Sequence, residues 1–182
     1  MKKIMFDDEH SLTVLVLAGK KTQTRRLPSV KFKVGEVVAV AQSYRTILND
    51  VSGVNTAIDY ILAVEKLSRK SLLNCQGTTN KMYVRADLMP WRIRITDVRT
   101  QRLQDITEEE CMAEGISKSG DKGYWRRGLP CAFYSTAREA YAALIDKMMG
   151  KGVWDSNPEV MAYTFELLDK VSEEELIKAS GV

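Results

Sequence analysis

The sequence predicts an α+β fold, and three observations carry that expectation. Between Trp91 and Leu103, Trp91, Ile93 and Ile95 alternate with Arg92, Arg94 and Thr96, the pattern of a strand with one face in a core and one basic face outward. Two capping boxes, Thr107 with Glu110 and Thr136 with Glu139, mark helix starts. Short apolar runs punctuated by Gly, Asn and Pro supply further strands. With 182 residues the chain can bury a sizeable core as one domain.

Taken in order, residues 9 to 18 form an apolar block without clean periodicity. The acids Asp7 to Glu9 before it and Gly19, Lys20 and Lys21 after it favour helix over strand, through the helix dipole and a left-handed glycine cap. Lys33-Val-Gly-Glu reads as a turn and Val37 to Ala41 as a buried strand. Asn49 to Asn55 is expected to be a hairpin loop, and Ala57 to Val64 the strand that follows it. A polar connector, Ser68 to Asn80, leads to Met82 to Met89 and then to the strand opened by Pro90. The segment DITEEECMAEGI is predicted to be a helix with an Ile106 to Cys111 staple and a closing Gly115. Ser117 to Pro130 is a Gly-rich charged loop holding Tyr124, Trp125, Arg126 and Arg127, either mobile or ligand-facing. The helix after Thr136 should bury Tyr141, Leu144, Ile145 and Met148 and end at Gly150. Beyond the Asn157-Pro158 turn, Val160 to Leu168 is a final strand, and the tail from Ser172 is a short acidic helix.

Composition excludes several classes. The cysteines, Cys75, Cys111 and Cys131, are odd in number and widely spaced, so neither a disulfide framework nor a zinc site is indicated and a reducing cytoplasm is expected. Leu12 to Ala18 is too short to span a bilayer, and Asp7, Asp8 and Glu9 break any resemblance to a signal peptide. No cofactor or metal is implied. Charge is unevenly spread: Lys20 to Lys33 holds six basic residues and no acid, whereas Asp105 to Glu114 holds five acids and no base. Lys81 to Arg102 adds Lys81, Arg85, Arg92, Arg94, Arg99 and Arg102 against Asp87 and Asp97. The asymmetry favours an anionic partner such as RNA or a nucleotide, the competing reading of each run being a solvated face.

The basic run begins GKKTQTRR at Gly19. It is not a phosphate loop, because Val14 and Ala18 stand where glycines are needed. The single histidine, His10, beside Ser11 and two aspartates, reads as a surface group at a helix start rather than as part of a triad. Lys21 to Arg26 reads as a short extended segment, in which Gln23 and Arg25 project opposite to Thr22 and Thr24. Were Lys21 and Thr24 to converge, the amine would activate the hydroxyl as a nucleophile once burial lowers its pKa. The competing reading is a polar turn whose Arg25 and Arg26 form surface ion pairs.

Gly19-x-Lys21-Thr22-x-Thr24-x-Arg26 resembles the G-x-K-T-x-T-x-R signature of ASCH-domain proteins. WRIRITDVRTQRL followed by LQDITEEECMAEGI is similar to the strand-helix unit of that family. GVWDSNPEVMAYTFEL is similar to the closing segment of a longer, phage-associated subgroup. The resemblance implies one domain over residues 1–170, a small mixed β-barrel of PUA-like type with two or three flanking helices. Insertions near 48–82 and 117–135 and an acidic tail or helix over 171–182 lie outside it. It also implies RNA or modified-nucleoside binding at a basic cleft lined by Thr22, Arg25, Arg26, Arg92 and Arg94, with Tyr44 stacking on a base. A second implication is an amidohydrolase of acetylated cytidine, in which Thr24 attacks the amide, Lys21 takes its proton and Glu114 orients the lysine or the substrate amine. A phage accessory or assembly role is the third. Glu114 lies at a helix C-terminus, where the dipole disfavours its charge and suits an acid or base; otherwise a glutamate before a capping glycine is a surface group. The chain departs from the subgroup at Ala41-Gln-Ser-Tyr44, where Arg-Glu-Thr-Trp is usual, and at Glu159 and Met161, where tryptophans are usual.

Overall fold

The structure is a computed structural model that describes residues 1–28, 31–49 and 74–172. In chain order its strands are β1 (Lys3–Ile4), β2 (Gln23–Arg26), β3 (Val37–Val40), β4 (Arg92–Arg102), β5 (Ser117–Lys118), β6 (Tyr124–Trp125) and β7 (Glu159–Leu167). Its α-helices are α1 (Leu12–Leu17), α2 (Tyr44–Asn49), α3 (Glu108–Ala113), α4 (Ala137–Met149) and α5 (Val153–Ser156). The α+β expectation holds, with one sheet in the order β1-β3-β4-β7-β2 and a second pair, β5-β6. Among the described residues β1 and β2 are the outer strands of the larger sheet.

The chain divides into two compact units. The first comprises Met1–Phe6, Val37–Ile93 and Leu168–Val182. In it β1 pairs parallel with β3, Lys3 opposite Ala39 and Ile4 opposite Val40. Its core gathers Ala39, Ala41, Tyr44, Ile47, Leu88 and Met89. Helix α2, which the sequence reading missed, starts from Ser43, whose Oγ accepts the Thr46 N–H at 3.1 Å as an N-cap does. Between residue 74 and β4 the chain makes 3-10 turns at Gln76–Thr78, Lys81–Tyr83 and Ala86–Leu88. The predicted hairpin loop at Asn49 to Asn55 and strand at Ala57 to Val64 fall outside the described residues, apart from Asn49 at the end of α2, and so does the tail after Ser172.

The second unit comprises Asp7–Glu36 and Arg94–Leu167. Here β2 runs antiparallel to β7, with Thr24 opposite Tyr163 and Arg25 opposite Ala162. Local signals in the sequence act as read. Thr107 and Glu110 close a reciprocal cap on α3, and Thr136 and Glu139 do so on α4. Gly19 and Gly115 adopt φ of +68° and +113°. Each ends its helix in the same double bond: Gly19 and Lys20 donate to the carbonyls of Val16 and Leu15, Gly115 and Ile116 to those of Met112 and Cys111. Gly35, with φ +82°, turns the chain between Lys33 and Glu36.

Three expectations need correction. Helix α1 begins at Leu12 rather than residue 9, because Asp7 captures the His10 N–H at 2.8 Å and Ser11 takes a left-handed φ of +58°. Met148 is 42% exposed, since nothing in the last turn of α4 beyond Ile145 is buried. Ser117 to Pro130 is not structureless: β5 and β6 pair, and Tyr124 pairs with Tyr134 in an added bridge. Among the described residues no helix is long and apolar enough to cross a membrane.

Candidate functional site

The site forms where β2 meets the end of α3, within the second unit. The Thr22 N–H donates to the Ala113 carbonyl at 2.9 Å, tying the start of the strand to the helix terminus. Gly115 makes the approach feasible. A Cβ there would stand 3.1 Å from Leu12 and 3.0 Å from Leu15 of α1, and 3.8 Å from the Lys21 stem.

Lys21 is 2% exposed, and its Nζ donates to Glu114 Oε2 at 2.6 Å, to the Glu114 carbonyl at 2.7 Å and to the Gln23 carbonyl at 2.7 Å. Those acceptors match the three protons of an ammonium group. Glu114 is itself buried, and its Oε1 accepts from Arg25 Nη1 at 3.1 Å and from the Tyr141 hydroxyl at 3.4 Å. Arg25 Nη2 donates to Glu110 Oε2 at 2.7 Å, and Arg99 Nη2 to Glu110 Oε1 at 2.6 Å. With its amide oxygen turned toward Arg25, Gln101 accepts from Nε and Nη2 at 3.2 Å. The result is a chain of alternating charge, Lys21, Glu114, Arg25, Glu110, Arg99, that leads from the interior to the surface.

Burial pulls the Lys21 amine below its ordinary value; Glu114 opposes that shift, while Arg26 and Arg25 reinforce it. Burial likewise lowers Arg26, against the pull of Glu114. Burial, with Glu114 alongside, raises the Tyr141 phenol well above its usual value, so it stays a neutral hydrogen-bond donor. Cys111, in the same helix, is pushed up to about 12 by burial and is therefore a thiol rather than a nucleophile. Burial raises Glu110, but hydrogen bonds from Arg99 and the Thr107 N–H, with the charge of Arg25, outweigh it and leave the group lowered.

The structure thus brings Lys21 and Glu114 into contact. Thr24, on the adjoining strand, is 6% exposed. Thr22 is half-buried, and its carbonyl accepts the Phe165 N–H. The expected basic cleft is not presented as such. The Arg25 side chain is fully buried, because Glu110 and Glu114 take its donors, so it faces inward rather than toward a phosphate. Arg94 is exposed and paired with Glu166 at 3.2 Å. Tyr44 and Arg92 belong to the first unit. Tyr44 is 2% exposed, accepts the Arg85 N–H at 3.2 Å, and lies so close to Gly77 that a Cβ would come within 2.6 Å of its ring. It is a core residue there, not a stacking face.

His10 also differs from the surface group expected. It is 2% exposed, with Nδ1 at 3.1 Å from Asp7 Oδ1 and Nε2 without a partner among the described residues. Sequence reasoning missed Glu110, Arg99, Gln101 and Tyr141 as members of the site. One signal was available: Glu110 and Glu114 are four apart, so they share a helix face. Among the described residues no group of three or more His, Cys, Asp or Glu is placed to hold a metal ion. No family model, curated protein or solved structure matches the chain.

Proposed function

We propose that the chain is an ASCH-type protein that hydrolyses the exocyclic amide of an N-acylated cytidine-type nucleoside through Lys21, Thr24 and Glu114. The observation that carries this reading is the buried contact of 2.6 Å between Lys21 and Glu114, residues that the sequence holds 93 positions apart. Burying a lysine and a glutamate in contact is costly even within a charge network, and such buried pairs concentrate where a proton must be handled. The PUA-like barrel implied by the resemblance is part of the same proposal.

In this mechanism Thr24 Oγ attacks the amide carbonyl carbon as its proton passes to the neutral amine of Lys21. Burial supplies the neutral fraction of that amine by lowering it below the usual lysine range. Glu114, in contact with Lys21, relays a proton to the departing 4-amino group as the carbon–nitrogen bond breaks. The acyl group is then held as an ester on Thr24, and water cleaves it, releasing the carboxylic acid and restoring the hydroxyl. Tyr141 and Arg25 hold Glu114 in position from its other oxygen.

The alternative of a purely basic binding cleft has less support, because Arg25 is spent on internal glutamates. Acetate release from acetylcytidine, measured for wild type and for Lys21→Ala, Thr24→Ala and Glu114→Gln, tests the proposal. The expected result is turnover by wild type and its loss, by at least about a hundredfold, in each variant. No turnover by wild type, or full turnover by Thr24→Ala, overturns it.

A further inference from the structure

The β5-β6 hairpin and the chain that follows it to Tyr134 have a surface of their own. In register, Ser117 lies opposite Trp125 and Lys118 opposite Tyr124, and Tyr124 in turn pairs with Tyr134. That pairing sets Phe133 across from Trp125, on the same face, since neighbours on each side of a paired position share the opposite face. Trp125 is 37% exposed and Phe133 42%, so two adjacent aromatic side chains open to solvent.

The hairpin is anchored rather than loose. Arg126, 8% exposed, donates from Nη1 to the Gly115 carbonyl at 2.9 Å, one residue beyond Glu114. Its guanidinium also stacks over the Trp125 ring, 5.4 Å from the centroid. Gly128 packs on the His10 ring, where a Cβ would come within 3.0 Å. Charge along the segment is one-sided. Between Ser117 and Tyr134 stand Lys118, Lys122, Arg126 and Arg127 against Asp121 alone, and Lys118, Lys122 and Arg127 are exposed.

We infer that this hairpin is a stacking platform for single-stranded nucleic acid, with Trp125 and Phe133 receiving bases while Lys122 and Arg127 meet the phosphates; Lys118 lies over the Tyr124 ring on the other face. Adjacent exposed rings offer π-faces to successive unpaired bases, and a rim of positive charge favours a polyanion over a neutral or acidic surface. A duplex, whose bases are stacked on each other, has none to give to these rings.

This inference does not rest on the hydrolytic reading, and its test involves no turnover, so either can fail alone. A short fluorescein-labelled oligocytidine is titrated with the full chain, and binding is read by anisotropy across salt concentrations. Wild type is expected to bind with a log–log salt slope of about −1.4, as for two phosphate contacts on a single strand. Trp125→Ala and Phe133→Ala should each weaken binding about tenfold or more, Trp125→Phe should restore most of the loss, and Lys122→Ala should lower the slope by about 0.7. Rescue by the conservative ring separates stacking from misfolding. The inference is overturned if the oligonucleotide does not bind at low salt, or if the alanine variants bind as wild type does. It is equally overturned if a duplex competes as well as a single strand, or if sedimentation shows that these rings join two copies of the chain instead.

Discussion

The basic run on β2 and the basic run on the hairpin look alike in sequence and end in opposite places. Just before β2 and on it, the charges of Lys21 and Arg25 turn inward, and the fold answers them with Glu110 and Glu114. On the hairpin Lys118, Lys122 and Arg127 stay exposed, with Asp121 the one acid in that stretch. The difference teaches that a cluster of bases does not specify a ligand surface; the acids brought beside it by tertiary structure do. Where acids arrive, the charges become internal machinery, and where none arrive, they remain available to a partner.

The largest effect expected from this contrast comes from Glu114→Ala. It leaves Lys21 and Arg25 buried with an acceptor removed, and should destabilise by about 3–5 kcal/mol in urea unfolding. A loss below about 1 kcal/mol would make the pair no more than a surface contact. Next is Gly115→Ala, which forces a side chain into φ +113° and against Leu12 and Leu15. About 1–3 kcal/mol is expected, together with a loss of acetylcytidine turnover as Lys21 and Glu114 separate.

A smaller effect depends on pH. The folded structure holds Glu110 below its ordinary value, so its contribution is fully present above the ordinary glutamate range and is lost as pH falls through the lowered value. The stability gap between wild type and Glu110→Gln should therefore be constant above about pH 5 and narrow on acidification. A gap that widens in acid contradicts this. Smallest of all is Lys122→Ala on the hairpin, expected to change unfolding by no more than about 0.5 kcal/mol, far below the loss expected for Glu114→Ala.

What the sequence revealed follows from how far each signal reaches. Capping boxes at Thr107 and Thr136 and the left-handed glycines at 19 and 115 act over three to five residues, and all were legible. Ser43, the cap of α2, carried the same kind of signal and was overlooked. Tyr44 was misread for a different reason: whether an aromatic faces a ligand or a core depends on Gly77, more than thirty residues on. The inward turn of Arg25 likewise depends on glutamates 85 and 89 positions away. No periodicity in the chain encodes those meetings. The Lys21 and Glu114 pairing was expected only through a resemblance, not through anything that spacing shows.

The most direct test of the central claim, that Lys21 is a buried proton acceptor poised by Glu114, is the pH dependence of kcat/KM for acetylcytidine hydrolysis. The amine must be neutral to take the Thr24 proton, and burial lowers it. Activity should therefore rise with pH through a limb lying below the ordinary lysine range, and that limb should vanish in Lys21→Ala along with the activity. A flat profile, or the same limb persisting without Lys21, would contradict the account.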